Sequence, residues 1–493
     1  MAKSIMIQGT ASSAGKSFIT AGLLRVFSRD GYRAAPFKSQ NMALNSYVTA
    51  DGLEMGRAQV MQARACGIEP DARMNPVLLK PADDRRSQVI VGGKARGDMD
   101  AKAYFAYKNG LVPDIMRAYH SLAAEYGVIV IEGAGSPAEI NLREDDIVNM
   151  GMARMAKAPV LLVGDIDRGG VFAAVFGTLA LLGPGERAMV KGVIINKFRG
   201  DPDILKPGLD TLEELTGTPV LGVLPYLDIA PDDEDSLTER FGARGGGLID
   251  IAVVRLPRIS NFTDFNAFDY IDGVSLRYIK RARDFGSPDL VILPGTKNTM
   301  ADLGWLRETG LSGLIARHAK SNKPVFGICG GMQMLGADIR DPLGAEGGGG
   351  ARGLGLLPVE TEFAREKTLA RISGRLDAVT GVFEGLSNLP FDGYEIHMGV
   401  SDTAGRNIIN RGNVYGTYIH GVFDAPGVSG AVAEALYAMK GAGLPDDAAG
   451  LNAADLKAID LRAINEKQFD ILEESVRRHL DMRKIYEILE RGL

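Results

Sequence analysis

At 493 residues the chain is too long for one ordinary core and predicts two or three domains. Charged residues at 24% and hydrophobic ones at 45% describe packed domains and exclude extensive disorder; 56 basic against 62 acidic side chains, net −6 with no long basic run, argue against a nucleic-acid surface. Two cysteines, Cys66 and Cys329, make no disulfide framework, no apolar run reaches the roughly 18 residues that span a bilayer, and Met1 to Gly9 enters a strand at once without a signal-peptide pattern; a soluble protein of the reducing cytoplasm, away from membranes, is expected.

Short apolar runs punctuate the first half: Ser4 to Gln8, Val128 to Ile131, Pro159 to Val163, Gly192 to Ile195 and Val220 to Leu224. Helix-length segments separate them, and several are apolar on both faces, as strands of a covered parallel sheet must be. The first run leads into Gly9-Thr10-Ala-Ser-Ser-Ala-Gly15-Lys16-Ser17 and then a helical pattern from Phe18 to Ser28. A glycine-rich turn between strand and helix offers backbone N–H groups to a polyphosphate, Lys16 neutralises it, and the Ser17 hydroxyl suits a magnesium ion. Five residues separate Gly9 from Gly15 where the common P-loop has four. This longer loop resembles that of the dethiobiotin-synthetase branch of P-loop enzymes, which implies ATP-dependent formation of an acyl phosphate or carbamate.

The polar stretch Pro36 to Ser46, with Lys38, Gln40, Asn41, Asn45 and Ser46, reads either as the lining of a polar substrate site or as a solvated loop. Glu54, Arg57, Gln59, Asn75 and Lys80 add polar groups that could face the same cleft. Glu132 ends an apolar strand, where a second magnesium contact is needed; a solvated strand end is the other reading. Asp165 and Asp167 follow the next strand, with helix capping as the alternative. Asn196 stands just past another strand, as a contact to the nucleotide base or as a turn residue.

Residues 231–247, with acids from Asp232 to Asp235 and then Gly242-Ala-Arg-Gly-Gly-Gly, read as a linker between a first domain over 1–230 and a second over 248–445. New strands begin at Leu248 and Asp289, and the glycine-rich run Gly344 to Gly355 reads as a flexible loop. Lys323 to Ile328 is a short apolar run that turns through Cys329, Gly330 and Gly331 into a helical pattern, the setting of an activated nucleophile. His420, after the apolar run at Tyr415, is the candidate base. His397 is its rival, whereas His318 and His479 lie in charged helical segments and read as solvated. Gly295 and Gly330 are the candidate oxyanion donors. Residues 446–493 form a helical carboxyl-terminal segment expected to pack on the second domain.

Gly327-Ile-Cys329-Gly-Gly331-Met-Gln333 is similar to the Gly-x-Cys-x-Gly-x-Gln pattern of class I glutamine amidotransferases. The resemblance implies catalysis by Cys329 and His420, with Gly295, Gly330 and Gln333 around the glutamine. These enzymes carry a glutamate two residues after the histidine, but this chain has Val422. A dyad could suffice, or Glu395 or Asp424 could orient His420. That departure, together with Gly9 to Ser17, Pro36 to Ser46, Glu54 to Gln59, Asn75 to Pro81, Pro294 to Thr299 and residues 480–482, resembles the cobyric/cobyrinic acid amide synthase family over nearly the whole chain. The family implies an α/β protein of two doubly wound domains, P-loop NTPase-like and glutamine amidotransferase-like. It implies ATP held by Gly9, Thr10, Gly15, Lys16, Ser17 and Asn196, Mg2+ by Ser17 and Glu132, and glutamine as ammonia donor. Its cobyric acid branch, the nearest match, amidates the b, d, e and g carboxylates of the corrinoid adenosylcobyrinic acid a,c-diamide in cobalamin biosynthesis. The alternatives are an a,c-diamide synthase, or a partition-type P-loop ATPase switch with a relic glutaminase domain; a homo-oligomer is compatible with either.

Overall fold

The computed structural model describes residues 2–83, 85–229, 246–443 and 461–493. The expected linker therefore falls almost wholly outside the described residues, as does the start of the carboxyl-terminal segment. In the first half, strand β1 (Lys3–Gly9) runs through the P-loop into helix α1 (Lys16–Arg29). Strands β2 (Ala34–Phe37), β3 (Val128–Glu132), β4 (Val160–Asp165), β5 (Val190–Phe198) and β6 (Val220–Pro225) complete a six-stranded parallel sheet in the order β6-β5-β4-β1-β3-β2. Its central strands are apolar and buried on both faces because helices cover both sides. The chain leaves β1 toward one side of the sheet and later returns to its other side. The P-loop therefore opens at a switch point, where a crevice forms outside the carboxyl ends of the strands.

The second half repeats this plan. Strands β7 (Ile249–Val254), β8 (Val274–Ile279), β9 (Leu290–Leu293), β10 (Val325–Ile328), β11 (Ile408–Arg411) and β12 (Val414–Thr417) form a sheet ordered β8-β7-β9-β10-β12-β11, parallel except for the β11–β12 pair. Since β9, β10 and β12 are parallel neighbours, the residues just after them, Gly295, Cys329 and His420, arrive at one edge.

A long antiparallel pair, Glu360–Arg375 with Pro390–Ser401, leaves this sheet and reaches the first half. Lys367 on it meets Glu54 at 2.6 Å, and Arg371 meets the Tyr47 hydroxyl. The run from Gly344 is more ordered than its composition suggests. The Asp341 carboxylate accepts from the N–H groups of Ala345, Glu346 and Gly348, and Gly349–Arg352 pairs antiparallel with Asp338–Asp341.

The carboxyl-terminal helices α2 (Leu461–His479) and α3 (Met482–Arg491) pack chiefly on the nucleotide-binding half, contrary to expectation. Phe469, Leu472 and Val476 of α2 join the core cluster that α1 covers, and Arg25 on α1 pairs with Glu466 and Asp470 at 2.7 and 2.6 Å. Close approach decides the partner: a Cβ at Gly22 of α1 would lie 2.7 Å from Val476 Cγ2. Leu461, at the start of α2, joins the second core. No helix among the described residues is long and apolar enough to cross a membrane.

Candidate active sites

At the first sheet edge, Thr10 N–H donates to Val163 O at 2.9 Å, and the loop closes through Gly15 at φ +94°, a left-handed conformation that glycine adopts without penalty. A Cβ at Gly15 would fall 2.0 Å from Asn196 Nδ2, which donates to Ala14 O at 3.0 Å. Asn196 thus braces the loop from behind. Lys16 Nζ donates to Ala11 O and Gly135 O, folded over the loop it would complete. Ser17 Oγ donates to Glu132 Oε1 at 3.0 Å, so the hydroxyl and carboxylate expected to share a cation already converge. Glu132 is buried and also receives Lys38 Nζ at 2.8 Å and Gln62 Nε2. No local pattern marks Lys38 and Gln62 for this role, because only the fold brings those segments under Glu132. Asp165 and Asp167 are tied to Lys197 and Arg199, each at 3.0 Å, and clasp the loop ends. Asn75 bridges Gly56 N–H to the carbonyls of Lys38 and Val77.

At the second sheet edge, Cys329 directly follows β10 with φ +52° and ψ −113°, outside the usual regions for a side-chain-bearing residue. The next residues form the short helix Gly330–Leu335. A Cβ at Gly331 would come 1.9 Å from Leu293 O, and one at Gly330 2.9 Å from Thr296 Cγ2. These glycines let the turn at Cys329 pack onto the end of β9 and the loop after it. Gly295 lies under the His420 ring: its Cβ would stand 3.0 Å from His420 Cε1.

The third partner of His420 is Asp264, in place of Glu395, Asp424 or none. Asp264 Oδ2 is 2.7 Å from His420 Nδ1, and its Oδ1 accepts from Gly421 N–H at 3.0 Å. With Nδ1–H held by the carboxylate, Nε2 is the nitrogen left for Cys329. Burial pulls the imidazole pKa down, but the charge and hydrogen bond of Asp264, with a hydrogen bond to Cys329, outweigh it and raise His420 well above its ordinary value. Glu395 stands 3.6 Å from His397, and Asp424 lies 3.9 Å from Arg57. No local signal marks Asp264, 156 residues before His420.

His397 is committed elsewhere: its Nδ1 bonds Gly399 O at 2.7 Å and its ring stacks on Tyr418 at 3.8 Å. His318, expected in solvent, is buried with Nε2 3.1 Å from Pro324 O, and burial first of all pulls its pKa down to about 4. Gln333 is buried with both amide ends engaged, by Thr299 Oγ1 at 3.1 Å and the Tyr418 hydroxyl at 3.0 Å. Tyr394 stacks on His420 at 5.4 Å. A cavity between the halves, lined by Tyr47, Arg57, Arg64, Arg371, Tyr394 and Asp424, opens beside them.

A strained cysteine with a histidine–aspartate pair, on one chain with a P-loop, can release ammonia at one edge and activate an acceptor at another. The description CobQ/CobB/MinD/ParA nucleotide binding domain matches residues 5–237, and CobB/CobQ-like glutamine amidotransferase domain matches residues 250–428. Fold, sites and domains define the class: an amidotransferase that uses glutamine and a nucleotide. The protein named cobyric acid synthase in Ruminiclostridium cellulolyticum is 55% identical over all of this chain and 98% of its own length. Those so named in Lachnoclostridium phytofermentans and Yersinia enterocolitica are 52% and 51% identical, over 100% and 99% of this chain and 100% and 98% of their own lengths. The chain belongs to the cobyric acid synthase family.

Proposed function

We propose that the protein amidates the b, d, e and g carboxylates of adenosylcobyrinic acid a,c-diamide, using ATP and glutamine, to give adenosylcobyric acid in cobalamin biosynthesis. The observation that carries this reading is the Cys329–His420–Asp264 arrangement on the same chain as the P-loop, in a protein similar along its whole length to cobyric acid synthases.

His420 takes the thiol proton as Cys329 adds to the glutamine carboxamide, with the Gly295 and Gly330 amides as donors to the developing oxyanion. The imidazolium, stabilised by Asp264, then gives its proton to departing ammonia. Water hydrolyses the remaining thioester to glutamate. Gln333 acts by fixing the pocket through Thr299 and Tyr418.

At the other edge, Gly9 to Lys16 wrap the ATP phosphates, and the acceptor carboxylate takes the γ-phosphoryl group as ADP leaves. Ammonia displaces phosphate from that acyl phosphate to give the amide. Ser17 and Glu132 would hold Mg2+, which supplies charge neutralisation at the phosphates. Exclusion of water protects the acyl phosphate, which calls for a sheltered path for ammonia between the two edges.

Cys329→Ala tests the division of labour. Glutamine-supported amidation is abolished, while ATP-dependent amidation with ammonium salts persists. Loss of both activities in a folded variant would contradict the two-site scheme.

A further inference from the structure

The segment that carries Asp264 is braced by the other half of the chain. Asp264 lies in the 3-10 stretch Phe262–Tyr270, entered through Asn261 at φ +53°. Asn261 is buried, and its Nδ2 donates to Ser46 O at 2.8 Å and to the Tyr394 hydroxyl oxygen at 2.6 Å. The Tyr394 hydroxyl donates to the same Ser46 carbonyl at 3.1 Å, and Phe262 N–H donates to Asn45 Oδ1 at 3.3 Å. Tyr394 also exchanges backbone hydrogen bonds with His420, at 2.9 and 3.2 Å, while its ring covers the imidazole. One carbonyl of the nucleotide-binding half therefore steadies both the segment that supplies Asp264 and the ring that covers His420.

The bracing loop is close in sequence to the phosphate site. Asn45 and Ser46 follow Lys38, whose ammonium rests on Glu132 beside Ser17, by a few residues. Lys80 Nζ, which donates to Ser46 Oγ at 2.9 Å, and Asn75, which holds the Lys38 carbonyl, tie the loop to its own half. Adhesion alone would be met by apolar burial. A carboxamide and a tyrosine hydroxyl converging on one carbonyl instead fix direction, and hydrogen bonds weaken steeply as their angles open.

We propose that Asn261 is a positioning residue through which the nucleotide-binding half sets the Asp264–His420 pair, so that glutamine hydrolysis responds to occupancy of the ATP site. The proposal rests on the functional reading above. A cation entering between Ser17 and Glu132 competes with Lys38 for the same carboxylate oxygen, and the chain runs on from Lys38 to Asn45 and Ser46, which hold the segment of Asp264. An effector shifts the second site only by its differential interaction with two arrangements, and the aligned and misaligned Asp264–His420 pair are those arrangements.

The test measures glutamate release by the full chain, with and without ATP, Mg2+ and the corrinoid a,c-diamide, in wild type, Asn261→Asp and Tyr394→Phe. Asn261→Asp keeps shape and backbone preference but replaces the donor; Tyr394→Phe keeps the ring over His420 and removes only the hydroxyl. Wild type is expected to hydrolyse glutamine about tenfold faster with the synthase ligands. Both variants are expected to lose that stimulation and about tenfold in stimulated kcat, with KM for glutamine changed by less than about twofold. Ammonia-supported amidation should stay within about twofold of wild type, which shows that the fold and the ATP site survive. In an Asp264→Asn background, Asn261→Asp should cost nothing further, since the two act on one bond. Full stimulation in Asn261→Asp, additive losses in the double variant, or no stimulation in wild type would each overturn the coupling. A wild type that forms no amide from either nitrogen source would instead overturn the functional reading, and the coupling with it.

Discussion

Replacing Asp264 by Asn keeps the shape of the side chain but frees the His420 ring to adopt the wrong tautomer. Where an aspartate orients a catalytic histidine, that change costs up to about 10^4 in kcat. Glutaminase activity should fall by about 10^2 to 10^4 while ammonia-supported amidation persists, and Glu395→Ala and Asp424→Ala should stay within about tenfold of wild type. The pair also leaves a mark on stability. Because the folded-state pKa of His420 is raised above 6.5, its contribution is fully present below that pH and is lost as pH rises through the folded value. Melting temperatures of wild type and Asp264→Asn, followed from about pH 6 to about pH 10, should therefore differ most at the acid end and converge toward the alkaline end. Cys329 and His420 were legible because each sits in a local pattern of strand, turn and small residues. Asp264 was not: its role depends on a sheet order that brings residue 264 behind residue 420.

The elements that join the halves are held by charge as well as by packing. Glu54 is buried between Lys80 at 2.9 Å and Lys367 at 2.6 Å. Burial opposes its ionisation, yet the charges of Lys367 and Lys80 prevail and hold its pKa at about 2. Lys367 goes down, to about 8, through burial and the neighbouring Lys80 and Lys297, which the attraction of Glu54 only partly offsets. Glu54→Gln would leave two buried ammonium groups short of a partner and should cost about 3–5 kcal/mol in urea unfolding. The sign follows from the depressed carboxylate pKa: the wild-type advantage is present above pH 4.5 and disappears as pH falls toward about 2. The contact between α1 and α2 depends on fit. Gly22→Ala should destabilise by about 1–3 kcal/mol through collision with Val476 and crowding of Leu472, and in a Val476→Ala background the same change should cost less. Strand existence was readable here from apolar runs bounded by glycine. The side on which α2 docks was not, since an amphipathic stripe names no partner and the deciding feature is a single glycine on a distant helix.

At the scale of the molecule, two doubly wound sheets place their active edges on either side of one junction, built by the Tyr47 loop, the Asn261 segment and the hairpin arm at Lys367 and Tyr394. The polar stretch from Pro36 to Ser46 reaches that junction at its carboxyl end. Its buried Lys38, Asn45 and Ser46 spend their hydrogen bonds on Glu132, Phe262 and Asn261 and do not form a solvated loop. The sequence identified these residues as chemically unusual; only their neighbours, distant in the chain, say what for. Nitrogen freed at Cys329 is expected to reach four carboxylates activated at the P-loop. This transfer is tested most directly by mass spectrometry of the corrinoid made from amide-15N glutamine with ATP and no added ammonium salt. A product carrying four amide additions, all labelled with 15N, is expected. Two additions, or amides carrying mostly unlabelled nitrogen, would contradict it.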